Sequence, residues 1–456
     1  MERIGRPRAQ EYKDLSIIIQ HGEVRMRSVS GESSGMLRLS LQKDEVQKIM
    51  DYASQSNRGI AMRGLEGNAW EDPMREIGMQ MFSALFEGSR MTAFESSQNR
   101  WSSYEGNPLR LRLYIEDPDL AALPWEFMHD GKSFLCLSPR FSIVRTVMSK
   151  REKNESLNID YPLKVLMVVY SDPDRSFDKM LDQQIERLTR ETGIDRLSLI
   201  VMKNPALNQV AKALKENPVH VFHYASGIAD FRYRKQTQIM FKDEKDQIII
   251  INSDQLRNLI HQNRDLILAY ISMSRSETLA EELAEDLPAV IGIRGEVYDE
   301  AIFTFTEGLY RGILAPLTLE ESVMQARQDI DRQRPGSRDW GLPVLFLTAN
   351  DSVFLKEPSD LNVTESQDVT LIRKGGTLTG AKVDINDGVA PGQAREWKKL
   401  LAMLSIQQKN LEVLEKKQDS MGADSPSQLL GEIQRTRTEI ENLTEMLEKI
   451  QRMKEK

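Results

Sequence analysis

The sequence predicts an α/β protein: a three-layer α/β/α sandwich on a mostly parallel sheet, with an α+β subdomain before it and an α-helical coiled-coil hairpin after it. Three observations predict this. Between residues 160 and 350, unbroken β-branched runs of strand length alternate with stretches of helical period, the pattern of strands covered on both faces. Residues 12–155 carry shorter strands and two helical patterns instead. Residues 393–456 repeat apolar side chains at heptad spacing on two stretches, split at Gly422, Asp424, Ser425 and Pro426.

Element by element, the first block (12–155) opens with strands at 15–19, 24–29 and 36–41. A Gly-, Ser- and Glu-rich turn at 30–35 joins the last two. Helical patterns cover 44–52 and 74–86, the second with Ile77, Met81, Ala84 and Leu85 on one face. In 109–115, Leu111, Leu113 and Ile115 alternate with Arg110, Arg112 and Tyr114, which predicts a strand with one solvated face. The second block (160–350) has strands at 164–170, 197–202, 219–224, 247–251, 266–271, 289–293 and 344–347. Helices are expected at 177–191, 207–215, 253–261, 276–285 and from 299 onward. Runs 238–241 and 248–251 flank the charged stretch 242–246 as a hairpin insertion. Residues 351–392, rich in Asp, Ser, Thr, Gly and Pro, read as a linker or a small irregular β element.

In the last block (393–456), Leu400, Leu404, Leu411, Leu414 and Met421 mark one face of the first helix. Ile433, Ile440 and Leu447 recur every seven residues on the second, with Leu443 and Ile450 beside them. Leu401, Met403, Ile406 and Val413 lie off that seam and need cover. A protein partner, or self-association through the hairpin, is the expected use. Trp397 at the start of the seam fits either a core or an interface.

Composition narrows the function classes. A chain of 456 residues holds about two or three domains. Lys and Arg total 61 against 69 Asp and Glu, a net charge of −8, which argues against sequence-independent nucleic-acid binding. One cysteine excludes an intramolecular disulfide and a multi-thiolate zinc site. No run of about 18 apolar residues occurs, and the basic N-terminus lacks an apolar segment, so a cytoplasmic protein with no membrane contact is expected. Neither GxGxxG nor GxxxxGK[ST] is present, so no cofactor and no metal are expected.

In an open α/β sheet, functional groups sit where strands end at their carboxyl side. The two most informative runs are Val219-His220-Val221-Phe222-His223-Tyr224-Ala225-Ser226-Gly227 and Leu266-Ile267-Leu268-Ala269-Tyr270-Ile271-Ser272-Met273-Ser274. Read with Leu123-Pro124-Trp125-Glu126-Phe127, Phe134-Leu135-Cys136-Leu137-Ser138-Pro139-Arg140, Val144-Arg145, Leu287-Pro288-Ala289-Val290-Ile291-Gly292, the run 303–312 and Asp339-Trp340-Gly341-Leu342-Pro343-Val344-Leu345, the chain resembles the CHAT domain. That is a caspase-like cysteine peptidase family of the clan that includes caspases and separase. The resemblance spans about residues 123–347 and implies a caspase-like fold.

It also exposes a departure. Active members carry an HFxGHG-type turn, whose second His is the base, and an NACE(S/T)-type turn, whose Cys is the nucleophile. Matching His223 to the first His puts Gly227 at the catalytic His position. Ser272 falls at the Cys position, with Tyr270 and Ile271 for Asn and Ala. A one-residue slip substitutes Ser226 or Met273, and no slip restores a His–Cys pair. Glycine takes no proton, and losing the base alone forfeits roughly 10²–10⁴-fold in rate. The resemblance therefore implies no catalytic residues: a pseudopeptidase serving as scaffold, adaptor or regulatory partner in a prokaryotic defence system, antiviral defence included, or in signalling. The alternatives are a residual hydrolase using Ser272 with a base the sequence does not place, and a small-molecule or nucleotide sensor.

The remaining conspicuous residues have plainer readings. Cys136 reads as a small buried hydrophobe in a strand. His223 reads as a satisfied structural histidine, His220 as facing away from it, His261 as a helix end, and His21 and His129 as turn residues. Arg232, Arg234 and Lys235, with Asp243, Glu244 and Asp246, fit cross-strand pairs of a solvated hairpin. Trp125 and Trp340 read as core anchors.

Overall fold

The apolar runs become strands because each is β-branched and short enough for one pass across a sheet. In the computed structural model, the described residues are 14–41, 44, 46, 73–102, 108–147, 156–159, 162–171, 176–192, 196–226, 239–315, 317–354, 368–373, 376–382, 411, 415, 418, 433–434, 436–438, 440–441 and 443–444. The chain forms two units, Met1–Lys356 and Glu357–Lys456.

In the first unit the strands are β1 (Asp14–Gln20), β2 (Glu23–Ser28), β3 (Gly31–Met36), β4 (Leu109–Ile115), β5 (Phe141–Arg145), β6 (Leu163–Tyr170), β7 (Leu197–Lys203), β8 (Val221–Ser226), β9 (Ile239–Lys242), β10 (Ile248–Ile251), β11 (Leu268–Ser272), β12 (Ala289–Ile293) and β13 (Pro343–Leu347). The described helices of eight or more residues are α1 (Pro73–Leu85), α2 (Ser89–Ser102), α3 (Ser176–Thr192), α4 (Leu207–Glu216), α5 (Ser253–Ile260), α6 (Glu277–Ala284), α7 (Asp299–Ile313) and α8 (Leu319–Gln333). Eleven strands pair as one sheet in the order β3-β2-β1-β4-β5-β13-β12-β11-β8-β6-β7. Strands β1, β4, β5 and β13 run parallel. Strands β12, β11, β8, β6 and β7 also run parallel among themselves. The two sets meet antiparallel at β12–β13. Blocks 12–155 and 160–350 thus share one sheet.

Both faces are covered. Val165, Met167, Val221, Tyr270 and Ile291 pack into one core with Phe177 of α3 and Phe305 and Leu309 of α7. Their strand neighbours Leu166, Val168, Phe222, Tyr224 and Ile271 pack into another with Leu214 of α4, Leu256 of α5 and Leu283 of α6. Alternate residues of one strand feeding two cores is the three-layer α/β/α arrangement.

Several expectations need correction. Residues 31–36 form the edge strand β3, paired with β2, where a turn was expected. Residues 37–41 are not a strand; Leu37 N–H bonds the Gly22 carbonyl at 2.8 Å, and Leu37, Leu39 and Leu41 pack on the core. Helix α2 has no strong apolar stripe and was missed. Cys136 lies in a single 3₁₀ turn, Leu135–Leu137, and not in a strand. Arg110 and Arg112 do not face water: chain leaving β13 covers them. Arg110 pairs with Asp14 at 2.5 Å and Glu320 at 3.0 Å, and Arg112 donates to the Leu347 and Ala349 carbonyls. Residues 351–354 still belong to the first unit, with bridges Ser156–Asp351 and Thr318–Val353.

In the second unit, Asp368–Arg373 pairs antiparallel with Gly376–Lys382. Leu411, Ile433 and Ile440 are buried, and Arg437 donates to Glu415 at 2.6 Å across the two helical stretches. Leu400, Leu404, Leu414, Met421, Leu447, Ile450, Trp397 and the off-seam residues lie outside the described residues.

The two most distinctive motifs interlock. Trp125 and Trp340 are both fully buried. The Phe127 ring lies 4.9 Å from Trp340, and Phe134 lies 4.8 Å from it. A Cβ on Gly341 would come within 2.2 Å of the Phe127 ring, so the bare backbone of that turn lets the ring seat. Trp340→Ala is expected to cost about 3–5 kcal/mol and Gly341→Ala about 1–3 kcal/mol or more in urea unfolding. Wild-type midpoints for both would show that the two motifs do not depend on each other.

Candidate functional site

Strands β8 and β11 are neighbours, and their register sets Tyr270 beside His223 and Ser272 beside Ala225. Because alternate residues share a face, His223, Tyr270 and Ser272 all point to the side covered by α7. Helix α7 brings Thr306 and Tyr310, one turn apart, over them. His223 Nε2 lies 2.8 Å from Ser272 Oγ, and His223 Nδ1 lies 3.1 Å from the Tyr310 hydroxyl. Ser272 Oγ is also 3.2 Å from the Tyr224 carbonyl. The His223 ring stacks on Tyr270 at 4.4 Å, and Tyr270 shares a hydrogen bond with Thr306 at 3.0 Å.

This cluster is sealed. Ser272 is 1% exposed, and His223 and Tyr310 are each 2% exposed. Burial lowers the His223 pKa to about 3, so the ring is neutral at pH 7. Burial likewise raises Tyr270 and Tyr310 above the ordinary phenol range. The Tyr270 hydroxyl also hydrogen-bonds with Ser272, and the Ser272 proton has the Tyr224 carbonyl and His223 Nε2 in reach. Given to the Tyr224 carbonyl, it leaves Nε2–H to donate to Ser272 and Nδ1 to accept from Tyr310, satisfying every polar atom. Given to Nε2, it puts the proton on Nδ1 and leaves the buried Tyr310 hydroxyl without an acceptor among the described residues. An orphaned buried donor costs about 1–3 kcal/mol, which favours the first arrangement.

The other sequence candidates fall elsewhere. Gly227, Arg232, Arg234 and Lys235 lie outside the described residues. Ser226 ends β8 with its buried hydroxyl unpartnered among the described residues, and Met273 is buried. Cys136 is buried, and that burial pushes its thiol up to about 11, the opposite of an activated nucleophile. His220 Nδ1 accepts from the Lys164 N–H at 3.2 Å. His129 is buried against Phe134, its Nδ1 accepting from Gly131 N–H, so it is more than a turn residue. Past Ser272, Ser276 Oγ ties the ends of β11 and β12 by donating to the Ile271 carbonyl and accepting from Ile293 N–H.

The charged residues of the resembling motifs do not enter this cluster. Arg145 holds Glu126 in a buried two-point pair at 2.9 and 2.8 Å. Burial works to raise the Glu126 pKa, but Arg145 outweighs it and the carboxyl stays below its usual range. Arg327 donates to the Trp340 and Pro343 carbonyls. Burial, then Arg145, lowers Arg294 to about 10. Sequence reasoning missed Tyr310 and Thr306, for which the signal was their one-turn spacing on an otherwise apolar face. Among the described residues, no group of three His, Cys, Asp or Glu is placed to hold a metal ion. No described helix is long and apolar enough to cross a membrane.

No protein-family model matches the sequence, and no curated protein matches it. Among solved structures, the chain is similar to separase of Saccharomyces cerevisiae in its complex with securin. Identity is 14% over 68% of this chain and 23% of that one, with a TM-score of 0.37. A second structure of that complex gives 14% identity and a TM-score of 0.34, covering 67% and 22%. A secreted C11 cysteine protease from Bacteroides thetaiotaomicron, bound to an irreversible peptide inhibitor, is similar at 12% identity over 36% of this chain and 56% of that one, TM-score 0.26. The chain therefore spans less than a quarter of the separase chain.

The buried histidine makes stability depend on pH. Its folded pKa lies below its unfolded value of about 6.5, so the unfolded chain binds the extra proton and folding weakens as pH falls below that value. Between pH 6.5 and 5, the wild type should lose about 1.6 kcal/mol more than His223→Asn in urea unfolding. Equal losses would show that His223 is not held neutral by burial.

Proposed function

We propose that the chain is a catalytically inactive, CHAT-like pseudopeptidase that serves as a cytoplasmic scaffold or adaptor in a prokaryotic defence or signalling system. One observation carries the reading. Ser272, at the position the resemblance assigns to the nucleophile, is buried and its hydroxyl is committed within the His223–Tyr310–Tyr224 network. A nucleophile must reach a substrate, and a base works best with a pKa near the operating pH, far above the value of about 3 held by His223. The buried pairs around Glu126 and the interlocked tryptophans support a scaffold use, since the motif residues go into packing.

A second reading is favoured by one distance. The base that the residual-hydrolase alternative lacked is in reach, because His223 Nε2 lies 2.8 Å from Ser272 Oγ. A fluorophosphonate probe separates the two. The pseudopeptidase reading expects no labelling of the native chain and no peptide cleavage, with Ser272→Ala leaving binding functions intact. Stoichiometric labelling that vanishes in Ser272→Ala, with the fold unchanged, would establish the hydrolase instead.

The helical hairpin is the proposed assembly element. Leu411 and Ile440 are buried within the second unit, and Glu415 and Arg437 pair across it. Leu411→Asp with Ile440→Asp should abolish capture of a partner protein by the hairpin in pull-down while the α/β unit keeps its melting transition. Loss of that transition as well would make the hairpin part of the α/β core and end the assembly reading.

A further inference from the structure

The insertion between β8 and β11 ends in an unusual strand. β10 consists of four isoleucines, Ile248–Ile251, and among the described residues its ladder partner is β9 alone. Ile251 is buried and Ile249 packs on the core beneath the sheet, but Ile248 is 60% exposed and Ile250 48% exposed. Among the described residues, the other large apolar side chains this exposed, Val29 and Met36, lie at the far β2–β3 edge. Two exposed isoleucines two positions apart share one face of the strand. The hairpin that carries them is fixed: the Tyr224 hydroxyl donates to the Met240 carbonyl and accepts its N–H, each at 3.0 Å, and ties β9 to the core. The strand is thus held with an apolar face in water and an edge to which a further strand can add.

We propose that β10 is a homotypic docking edge, at which a second copy of this chain adds its own β10 antiparallel across a two-fold axis through Ile249. The register follows from the faces. With Ile249 opposite its counterpart, Ile248 of each copy lies opposite Ile250 of the other, so all four exposed isoleucines meet on one face. A register centred between two residues would set exposed Ile248 opposite Ile251, whose side chain points to the core. No charged side chain lies between Gln247 and Asn252, so a copy meets no repulsion along the ladder. A two-fold contact uses the edge of each copy once and closes, which excludes growth into a fibre. The strand is short, and its area falls below the roughly 1,200 Å² of stable interfaces, so the dimer is weak and depends on concentration. This contact is independent of the helical hairpin.

The full chain, examined by sedimentation velocity between about 1 and 200 µM, should pass from monomer to dimer mass; such weak interfaces act in this range. Ile248→Lys with Ile250→Lys should keep it monomeric throughout without moving its melting temperature, whereas Leu411→Asp with Ile440→Asp should leave this step in place. Cysteine pairing tests the register. Opposed residues have Cβ atoms roughly 4.5–5.5 Å apart, within reach of a disulfide after small adjustment. Under mild oxidation, Ile249→Cys should give a covalent dimer on a non-reducing gel. Gln247→Cys should not, since its counterpart lies four residues along, about 14 Å away. Cys136 is buried and leaves the background clean. A monomer at all concentrations, a dimer indifferent to the two lysines, mass growing past the dimer, or equal cross-linking at 247 and 249 would each overturn the proposal.

Discussion

The sheet depends on one short strand arriving late. β13 contributes five residues, and they sit at the centre, bonded to β12 along their whole length and to β5 through Phe346 and Arg145. Until residues 343–347 are in place, β5 and β12 each present an unpaired edge, and the two parallel sets are not one sheet. The features around this joint read as means of holding the strand. Arg112 grips the carbonyls that follow it, Arg110 bridges Asp14 and Glu320 beside it, and Arg327 reaches the carbonyl at its start. Pairing across such sequence separations is entropically costly and slow to nucleate, which is why the joint is so heavily bonded.

The same logic explains why motif residues that look chemical turn out to be architectural. Glu126 and Arg145 are a buried ion pair, and burying either alone would be costly. Their neighbours Trp125, Phe127 and Trp340 bring β5 and β13 into contact through the turns that precede each strand. Conspicuous charged and aromatic residues at strand ends therefore divide into two groups here. One group locks the centre of the sheet; the other, His223 with Tyr310 and Ser272, fills the space under α7.

Much of the α/β unit was legible because its periodicities are strong. Ile- and Val-rich runs in the second block and the amphipathic stretches between them fall within a few residues of β6 to β13 and of α3 to α7. What was not legible has physical causes. Gly31–Met36 is polar because it is an edge strand, so only its pairing with β2 reveals it. Arg110 and Arg112 alternate as a solvated face would, but tertiary cover turns them into buried clamps. At the candidate site, Ser272 and His223 were legible as positions, while their meeting was not. It depends on the relative register of β8 and β11, which no local pattern encodes, and on a tyrosine 38 residues beyond Ser272.

The antiparallel joint at β12–β13 has a geometric consequence of its own. Strands of one parallel set end on one rim of the sheet and those of the other set on the opposite rim. Ser226 and Ser272 close their strands on the first rim; Ile115, Arg145 and Leu347 close theirs on the second. An α/β sheet of a single polarity gathers the carboxyl ends of its strands on one rim, whereas this molecule has them on both, separated by the full length of its strands. Two bound partners, one at each rim, would face away from each other and would never compete for the same surface.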